Sequence, residues 1–397
     1  MMKSQVIVVG AGPAGSTAAF YLVQRGVDVL LVDKEQWPRD KVCGDGQMGH
    51  AWPIYKEMGI FEEAREAADA ILTGTAFISM SENVVEMDYK AENMFGTRRY
   101  IIDDIIRRAA VREGAKFLEN FEVTDLIYKK GRVKGVKALF NGVETEAYAD
   151  LVILANGSHS MQARELGIYN EDPDTLWLGA RGYYENVRGM GSVSEFYYPF
   201  EDMYPAGYMW VFPEGDGIAD VGVFITAEAL LKSGKRLEDY FDRWRDETKI
   251  GQERLGEARL IGELKGWRLP SCRQLGKIHA KGAVLIGDAA SCIEPWLGEG
   301  FYEAMNCGRK VGMYLGDILK DGKEISDDDL EKLNKEYADE INPFYKVMAT
   351  CRDKVFCTPE RLEEWCAWVK EGGYLDNLSP EVNSVAMCLK FIQEKGY

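Results

Sequence analysis

The sequence predicts an α/β protein in which a parallel-sheet domain is interleaved with an antiparallel-sheet domain and followed by a C-terminal helical region. Three observations predict it. Val6-Ile-Val-Val runs straight into Gly10-Ala-Gly12-Pro-Ala14-Gly15, then into a helix of small residues, then into a second apolar run from Val27 to Val32 that ends in Asp33. Residues 166–270 are rich in aromatic side chains and alternate with period two in Val193–Tyr198 and Tyr208–Phe212, which reads as an antiparallel sheet with one apolar face. After Gly322 the apolar spacing is helical to the end, with Ile341-Asn-Pro343 as a break. At 397 residues the chain is too long for one small core and suits two intertwined domains.

Residues 1–45 form the opening β-α-β unit. Gly10 permits a tight turn, Gly12 lets backbone approach a pyrophosphate, and Gly15 lets the helix pack close to the strand. The helix N-terminus, with Ala14 in its first turn, presents unpaired N–H groups and a partial positive charge. Asp33, about 20 residues beyond the glycines, is placed to accept hydrogen bonds from a ribose. Residues 47–70 read as helical. Thr97–Ala110 is an amphipathic helix, with Arg99 and Asp103 spaced i, i+4 for a pair on its surface. Period-two segments around 121–128 and 132–139 flank Lys130-Gly131 as a hairpin turn. Asp150–Ala155 is a third buried strand, ending at Asn156-Gly157, and Val284-Leu-Ile leads through Gly287-Asp288 into a helix. Residues 228–246 read as a helix attached to the aromatic sheet. The assignment is therefore 1–75, 97–165 and 271–322 to the nucleotide-type domain, 76–96 and 166–270 to the sheet domain, and 323–397 to the helical tail.

The net charge of −17 argues against nucleic acid and against simple attraction to anionic lipid. No apolar run reaches the ~18 residues of a spanning helix. The N-terminus enters the first strand at once and leaves no room for a signal peptide, so a cytoplasmic location is expected. The eight cysteines form no C-x-x-C and there are only three histidines, so no metal site is expected. No G-x-S-x-G, P-loop or H-E-x-x-H occurs, which removes the commonest hydrolase and NTPase chemistries.

Three further stretches narrow the chemistry: Pro38-Arg39-Asp-Lys41-Val-Cys43-Gly44-Asp45-Gly46; Pro205-Ala-Gly207-Tyr208-Met-Trp210-Val-Phe212-Pro213, with Val221-Gly222 after it; and Glu294-Pro295-Trp-Leu-Gly298-Glu299-Gly300. The first glycine turn, Asn156-Gly157 and Gly287-Asp288, in that order, resemble a Rossmann-type FAD-binding domain of the glutathione-reductase and p-hydroxybenzoate-hydroxylase kind. With the three stretches added, the chain resembles the geranylgeranyl reductase family, whose members carry C-G-x-G, Y-x-W-x-F-P and P-x-x-G-x-G at these places. The resemblance spans residues 1–310 and leaves the C-terminal part unmatched. Asn156 departs from the family's usual Asp; it keeps the turn preference and loses the charge.

The resemblance implies FAD, held at its phosphate and ribose end by Gly10, Gly12, Ala14, Gly15, Asp33 and Lys34. Arg39 and Lys41 are expected at its adenylate or pyrophosphate edge, and Arg99, Val123, Asn156 and Gly157 complete that wall. Gly287 and Asp288 face the ribityl chain. Cys43, Gly44, Gly46, Pro295, Gly298, Glu299 and Gly300 lie about the flavin, where glycine N–H dipoles stabilise a reduced ring. Tyr208, Trp210 and Phe212 share one face of a strand. They line an apolar cavity for a prenyl chain, or form an ordinary aromatic core. Cys43, Tyr208, Trp210 and Gly298 are the candidate catalytic residues; the Cys43 thiol either donates a proton or shapes the pocket.

The implied reaction is saturation of C=C bonds in a prenyl lipid or quinone tail by hydride transfer from reduced flavin. The alternatives are a flavin monooxygenase, a flavin halogenase (Tyr208 and Phe212 replace two positions of its W-x-W-x-I-P) and a flavin dehydrogenase feeding a quinone or ferredoxin. With no second G-x-G-x-x-G, the external reductant stays open between NAD(P)H and reduced ferredoxin, the latter a redox partner protein. A lipid substrate implies peripheral contact with the inner membrane face. His50 and His159 receive no role.

Overall fold

The computed structural model describes residues 2–169, 174–205, 207–379 and 382–397; Ala206 of the tryptophan stretch lies outside them. The opening strand Met2–Val9 pairs in parallel with Val29–Val32 on one side and Val143–Leu154 on the other. Ala283–Leu285 and Lys116–Leu118 extend this parallel layer outward. The hairpin Phe121–Lys129 and Arg132–Phe140 branches from it antiparallel, along Val143–Leu154. Val6, Ile7 and Val8 are wholly buried, as a strand covered on both faces requires. Helix Pro13–Val23 begins at the glycine turn and packs against the long helix Phe301–Leu319 and against Arg99–Glu113.

A seven-stranded sheet stands beside this domain, in the order Arg259–Pro270, Leu176–Glu185, Ile218–Thr226, Gly207–Pro213, Val193–Tyr197, Gly74–Ile78, Val84–Asp88. It is not wholly antiparallel: Val193–Tyr197 pairs in parallel with Gly74–Ile78, because the chain crosses between domains before returning to this edge. One face of it carries Ala76, Met209, Val211, Val221 and Val223 against helix Leu237–Glu247. The other carries the aromatic rings.

Four sequence expectations change in detail. Residues 47–70 are not one helix: Gly46–Met48 pairs with Met94–Gly96 in a small third sheet, and helices Trp52–Glu57 and Phe61–Glu66 are separated at Gly59, whose φ is +67°. The 228–246 segment divides at Gly234, which caps Ala227–Ser233 in the left-handed region. Gly287–Ala290 is a short 3-10 turn, and the helix it leads to starts only at Phe301. Pro343 does not break the tail: helix Asp327–Lys354 runs through it. Pro343 and Asp339 lie on the exposed side, so the ring and the carbonyl it deprives of a donor both face water.

The tail continues as Pro359–Glu371 and Ser384–Lys395. Its buried Met348, Phe356, Trp365, Val369, Met387 and Phe391 join the core of the aromatic face rather than the nucleotide-type domain. No helix among the described residues is long and apolar enough to cross a membrane.

Candidate active site

A single cavity of about 1170 Å³ runs from the first glycine turn to the aromatic face of the second sheet. That exceeds the 300–1,000 Å³ usual for one small ligand, so there is room for a dinucleotide and for a chain beyond it.

The turn end is made by sterics. Gly10 has φ +99°, and a Cβ there would lie 2.3 Å from the Ala155 carbonyl oxygen. The helix after it has no acidic residue in its first turn, so its N–H groups and partial charge face the cavity uncancelled. Asp33 lies beside it and is already engaged: Oδ2 accepts from the Ala11 N–H at 2.7 Å and Oδ1 from the Glu35 N–H at 2.9 Å. Burial raises the Asp33 carboxyl against these donors. What it offers a ribose is the remaining lone pair on each oxygen.

Two cations approach the same wall. Lys41 Nζ lies 3.2 Å from Asp288 Oδ2, joining the first motif to the last across the cavity. Arg39 Nη1 lies 2.6 Å from Asp103 Oδ2, and Asp103 also takes both arms of Arg99, at 2.7 and 2.9 Å. The Arg99–Asp103 pair therefore forms, but deep in the molecule rather than on the helix surface, because Asp103 is wholly buried and bridges two guanidinium groups. Burial works against the charge on Arg99; Asp103 and the Cys43 thiol outweigh it and hold the guanidinium fully protonated.

The middle of the cavity is the Cys43–Gly46 turn. A Cβ on Gly44 would sit 3.0 Å from the Phe212 ring and 3.2 Å from Trp210 Nε1, so the turn lies directly on the aromatic strand. Cys43 is partly exposed, and its carbonyl accepts from Arg181 Nε at 3.2 Å. Trp210 is fixed by a 2.6 Å bond from Nε1 to Asp220 Oδ1, and Gly222 on the next strand makes room for its ring, since a Cβ there would fall 2.0 Å from Trp210 Cζ2. Tyr208 donates its hydroxyl to the Leu297 carbonyl. A Cβ on Gly298, at φ +73°, would lie 2.4 Å from Phe224.

Beyond these residues the rings stack. Trp177 and Phe224 stack 4.3 Å apart with nearly parallel rings, Phe196 lies 5.2 Å from both Tyr208 and Phe212, and Phe77 stacks on Trp296 at 5.8 Å. Phe356 and Trp365 of the tail close on Phe77 at 5.4 and 6.0 Å. The tail also fixes the 294–300 loop: Arg352, buried, donates from Nη1 to the Pro295 carbonyl at 3.2 Å. Within that loop Glu294 accepts from the N–H groups of Trp296, Leu297 and Glu299, and burial pushes its carboxyl up to about 7 in spite of them.

Of the residues the sequence singles out, Gly10, Gly12, Ala14, Asp33, Lys34 and Arg39 line the cavity, as do Cys43, Gly44, Gly46, Arg99, Val123, Asn156 and Gly157. Tyr208, Trp210, Phe212, Asp288, Gly298, Glu299 and Gly300 line it too. Gly15, Gly287 and Pro295 do not; they pack behind it. Gly15 presses on the Gly10 carbonyl and Gly287 on Ala14, where a Cβ would lie 1.8 and 2.9 Å away. Asn156 donates to Gln162 Oε1 at 2.8 Å. Sequence reasoning missed Arg181, Asp220 and the tail aromatics. It also gave no role to His50, whose Nε2 lies 2.7 Å from the cavity-lining Glu299.

A family profile described as an FAD binding domain matches residues 3–328. The chain belongs to that FAD-binding family. Among its relatives, a digeranylgeranylglycerophospholipid reductase of Methanosarcina mazei is 31% identical over 78% of this chain and 74% of its own length. A menaquinone reductase of Mycolicibacterium smegmatis is 31% identical over 77% of this chain and 75% of its own. The fold agrees with that of a geranylgeranyl bacteriochlorophyll reductase-like protein from Thermoplasma acidophilum (TM-score 0.87, 23% identity, 100% and 97% of the two chains). It agrees less closely with a flavin-dependent brominase (TM-score 0.79, 19% identity, 100% and 99%). The FAD-binding profile stops at residue 328, almost where the long tail helix starts. FAD suits the residues present: a glycine turn open to phosphate, cations at Arg39 and Lys41, and a second glycine turn at Gly44–Gly46 against which a flat ring can lie.

Proposed function

We propose that this protein is an FAD-dependent reductase that saturates C=C bonds in the prenyl chain of a lipid or quinone. One observation supports this above the others: the glycine turn at Gly44 touches the Trp210–Phe212 face, so the place for the reacting ring opens directly into an aromatic channel. Bound FAD supplies the hydride. Gly10, Gly12, Ala14 and Arg39 hold its phosphates, with Lys41 shared between it and Asp288, and Asp33 takes a ribose hydroxyl. Tyr208, Trp210, Phe212 and Phe224 lay the prenyl chain along the turn and exclude water, which orients a double bond that has no polar handle. Cys43, partly exposed beside Arg99, is positioned to bring a proton to the second carbon. The electrons come from NAD(P)H or a reduced ferredoxin, and the substrate is met at a membrane surface.

The test is anaerobic single turnover. The bound flavin is reduced with dithionite, a geranylgeranyl lipid or menaquinone is added, and reoxidation is followed with mass analysis of the product. Reoxidation with a gain of two hydrogens per double bond supports the reductase. No reoxidation until O₂ is admitted, with oxygen or halogen then in a product, overturns it. Failure to co-sediment with liposomes removes the membrane contact.

A further inference from the structure

Beneath the Cys43–Gly46 turn lies a group of acids that do not themselves line the cavity. Asp45 stands between two cavity-lining glycines, yet its own side chain turns inward and is wholly buried. Its Oδ2 accepts from the Tyr183 hydroxyl, and its Oδ1 has no partner among the described residues. Asp220, equally buried, holds Trp210 through Oδ1 and has Oδ2 3.4 Å from Arg181 Nε. Glu214 is 3% exposed and neither of its oxygens has a hydrogen-bond partner among the described residues.

The cations do not match the acids. Arg181 is shared among Asp220, the Cys43 carbonyl and Asp40, and Asp40 is drawn off to Lys265 at 2.9 Å. Arg99 also faces Asp45 but is committed to Asp103; Arg98 faces Glu214 but is committed to Asp69. Three desolvated carboxyls around one shared guanidinium cannot all ionise. Burial pushes Asp45 up to about 7, against the pull of Tyr183, Arg181 and Arg99 and with Asp40 adding to the rise. Burial, then Asp45, hold Asp220 well above the usual carboxylate range. Burial, Asp45, Asp220 and Asp69 take Glu214 to about 10. The group cannot be fully ionised at neutral pH, and within it Asp45 and Asp220 titrate together.

We propose that the Asp45–Asp220 pair, backed by Glu214, is a redox-linked proton site: it takes up a proton as two electrons enter the cofactor in the adjoining cavity, and returns it as they leave. The inference rests on the cavity being the FAD site. Two residues that line the cavity touch Asp220 directly: Trp210 donates to its Oδ1 and Arg181 lies 3.4 Å from its Oδ2. Negative charge arriving at that wall acts on a wholly buried pair, where it is weakly screened, and raises its proton affinity. The electrons come from the reductant, the proton from solvent, and both leave when the flavin is reoxidised. The pair thereby offsets the added charge.

The test is an equilibrium redox titration of the FAD-loaded protein with dithionite across pH, which needs no prenyl substrate. Flavin absorbance confirms loading first; a chain that binds no flavin refutes the cofactor reading before any slope is measured. In the native protein the potential should fall more steeply with pH across neutrality, by one additional proton per reduction. Asp220→Asn and Asp45→Asn should lose the additional proton while keeping flavin. Tyr183→Phe, which removes a hydrogen bond that lowers Asp45, should move the steep window to higher pH, a displacement that a merely structural role would not produce. Reduced-minus-oxidised infrared spectra of the native protein should show a protonated-carboxyl band gained, so the result does not depend on any variant folding. An unchanged slope across neutrality with no carboxyl band overturns the proposal.

Discussion

The dinucleotide end of the cavity is built from strand ends and the turns that follow them, while the aromatic end is built from strands, a loop and a tail that lie far apart in the chain. At Gly10 one backbone conformation and one contact at 2.3 Å decide whether the turn exists. At the other end Phe77, Phe196, Trp210, Phe224, Trp296 and Phe356 share the task, each with several ring neighbours. Loss at the first end should be all-or-none and at the second graded, which is what a fixed cofactor and a set of related apolar chains require.

The sharpest break is Gly10→Ala. Backbone strain at that φ costs about 1–3 kcal/mol before the clash with Ala155 is counted, and the protein should purify without flavin absorbance. Trp210→Ala tests the graded end. It should cost roughly 3–5 kcal/mol of stability, keep flavin, and raise KM for long prenyl chains more than for short ones; equal loss for both would make Trp210 a folding residue alone. Cys43→Ala, at the junction, should keep flavin and slow product formation by roughly 100-fold if the thiol is a positioned proton donor. Unchanged turnover would make Cys43 a packing residue.

The mildest change is His50→Gln. Burial lowers the imidazole, but Glu299 and then Glu294 raise it by more, so the net shift is upward. The pair with Glu299 therefore stabilises the 294–300 loop fully in acid and loses that contribution as pH rises through the raised value. The difference in Tm between native protein and variant should shrink from pH about 5 to pH about 9, with flavin content unchanged. A difference constant with pH would show that the ring acts through its contact with Tyr302 instead.

How legible each end was in the sequence follows the same division. The turn at Gly10 and the strand at Tyr208–Phe212 read directly, because their signals are local: glycine spacing, and alternation with period two. The helix breaks at Gly59 and Gly234 escaped because the apolar period carries across a single left-handed glycine. Pro343 misled in the opposite sense, since a helix of 28 residues anchored on its buried side absorbs one proline facing water. The Asp45–Tyr183 contact joins residues 138 apart, and Asp220 reaches Arg181 from a neighbouring strand. No spacing rule carries such a meeting. The tail helices gave only periodicity, and periodicity says that a face is buried, not against what.

That last point has a consequence for how the protein is made. The aromatic face is translated by residue 301, whereas Phe356, Trp365 and Phe391, which cover it, emerge after it. Domains form in the order of synthesis, so the nascent chain must pass through a stage with an uncovered wall of rings large enough to be adhesive. Leu333, Tyr337, Ile341 and Tyr345 of the same tail also complete the core of the nucleotide-type domain, so a chain cut near residue 330 should be prone to self-association. The tail is thus a cover that reaches the aromatic face only after that face has been made, and loss of it should appear as poor yield.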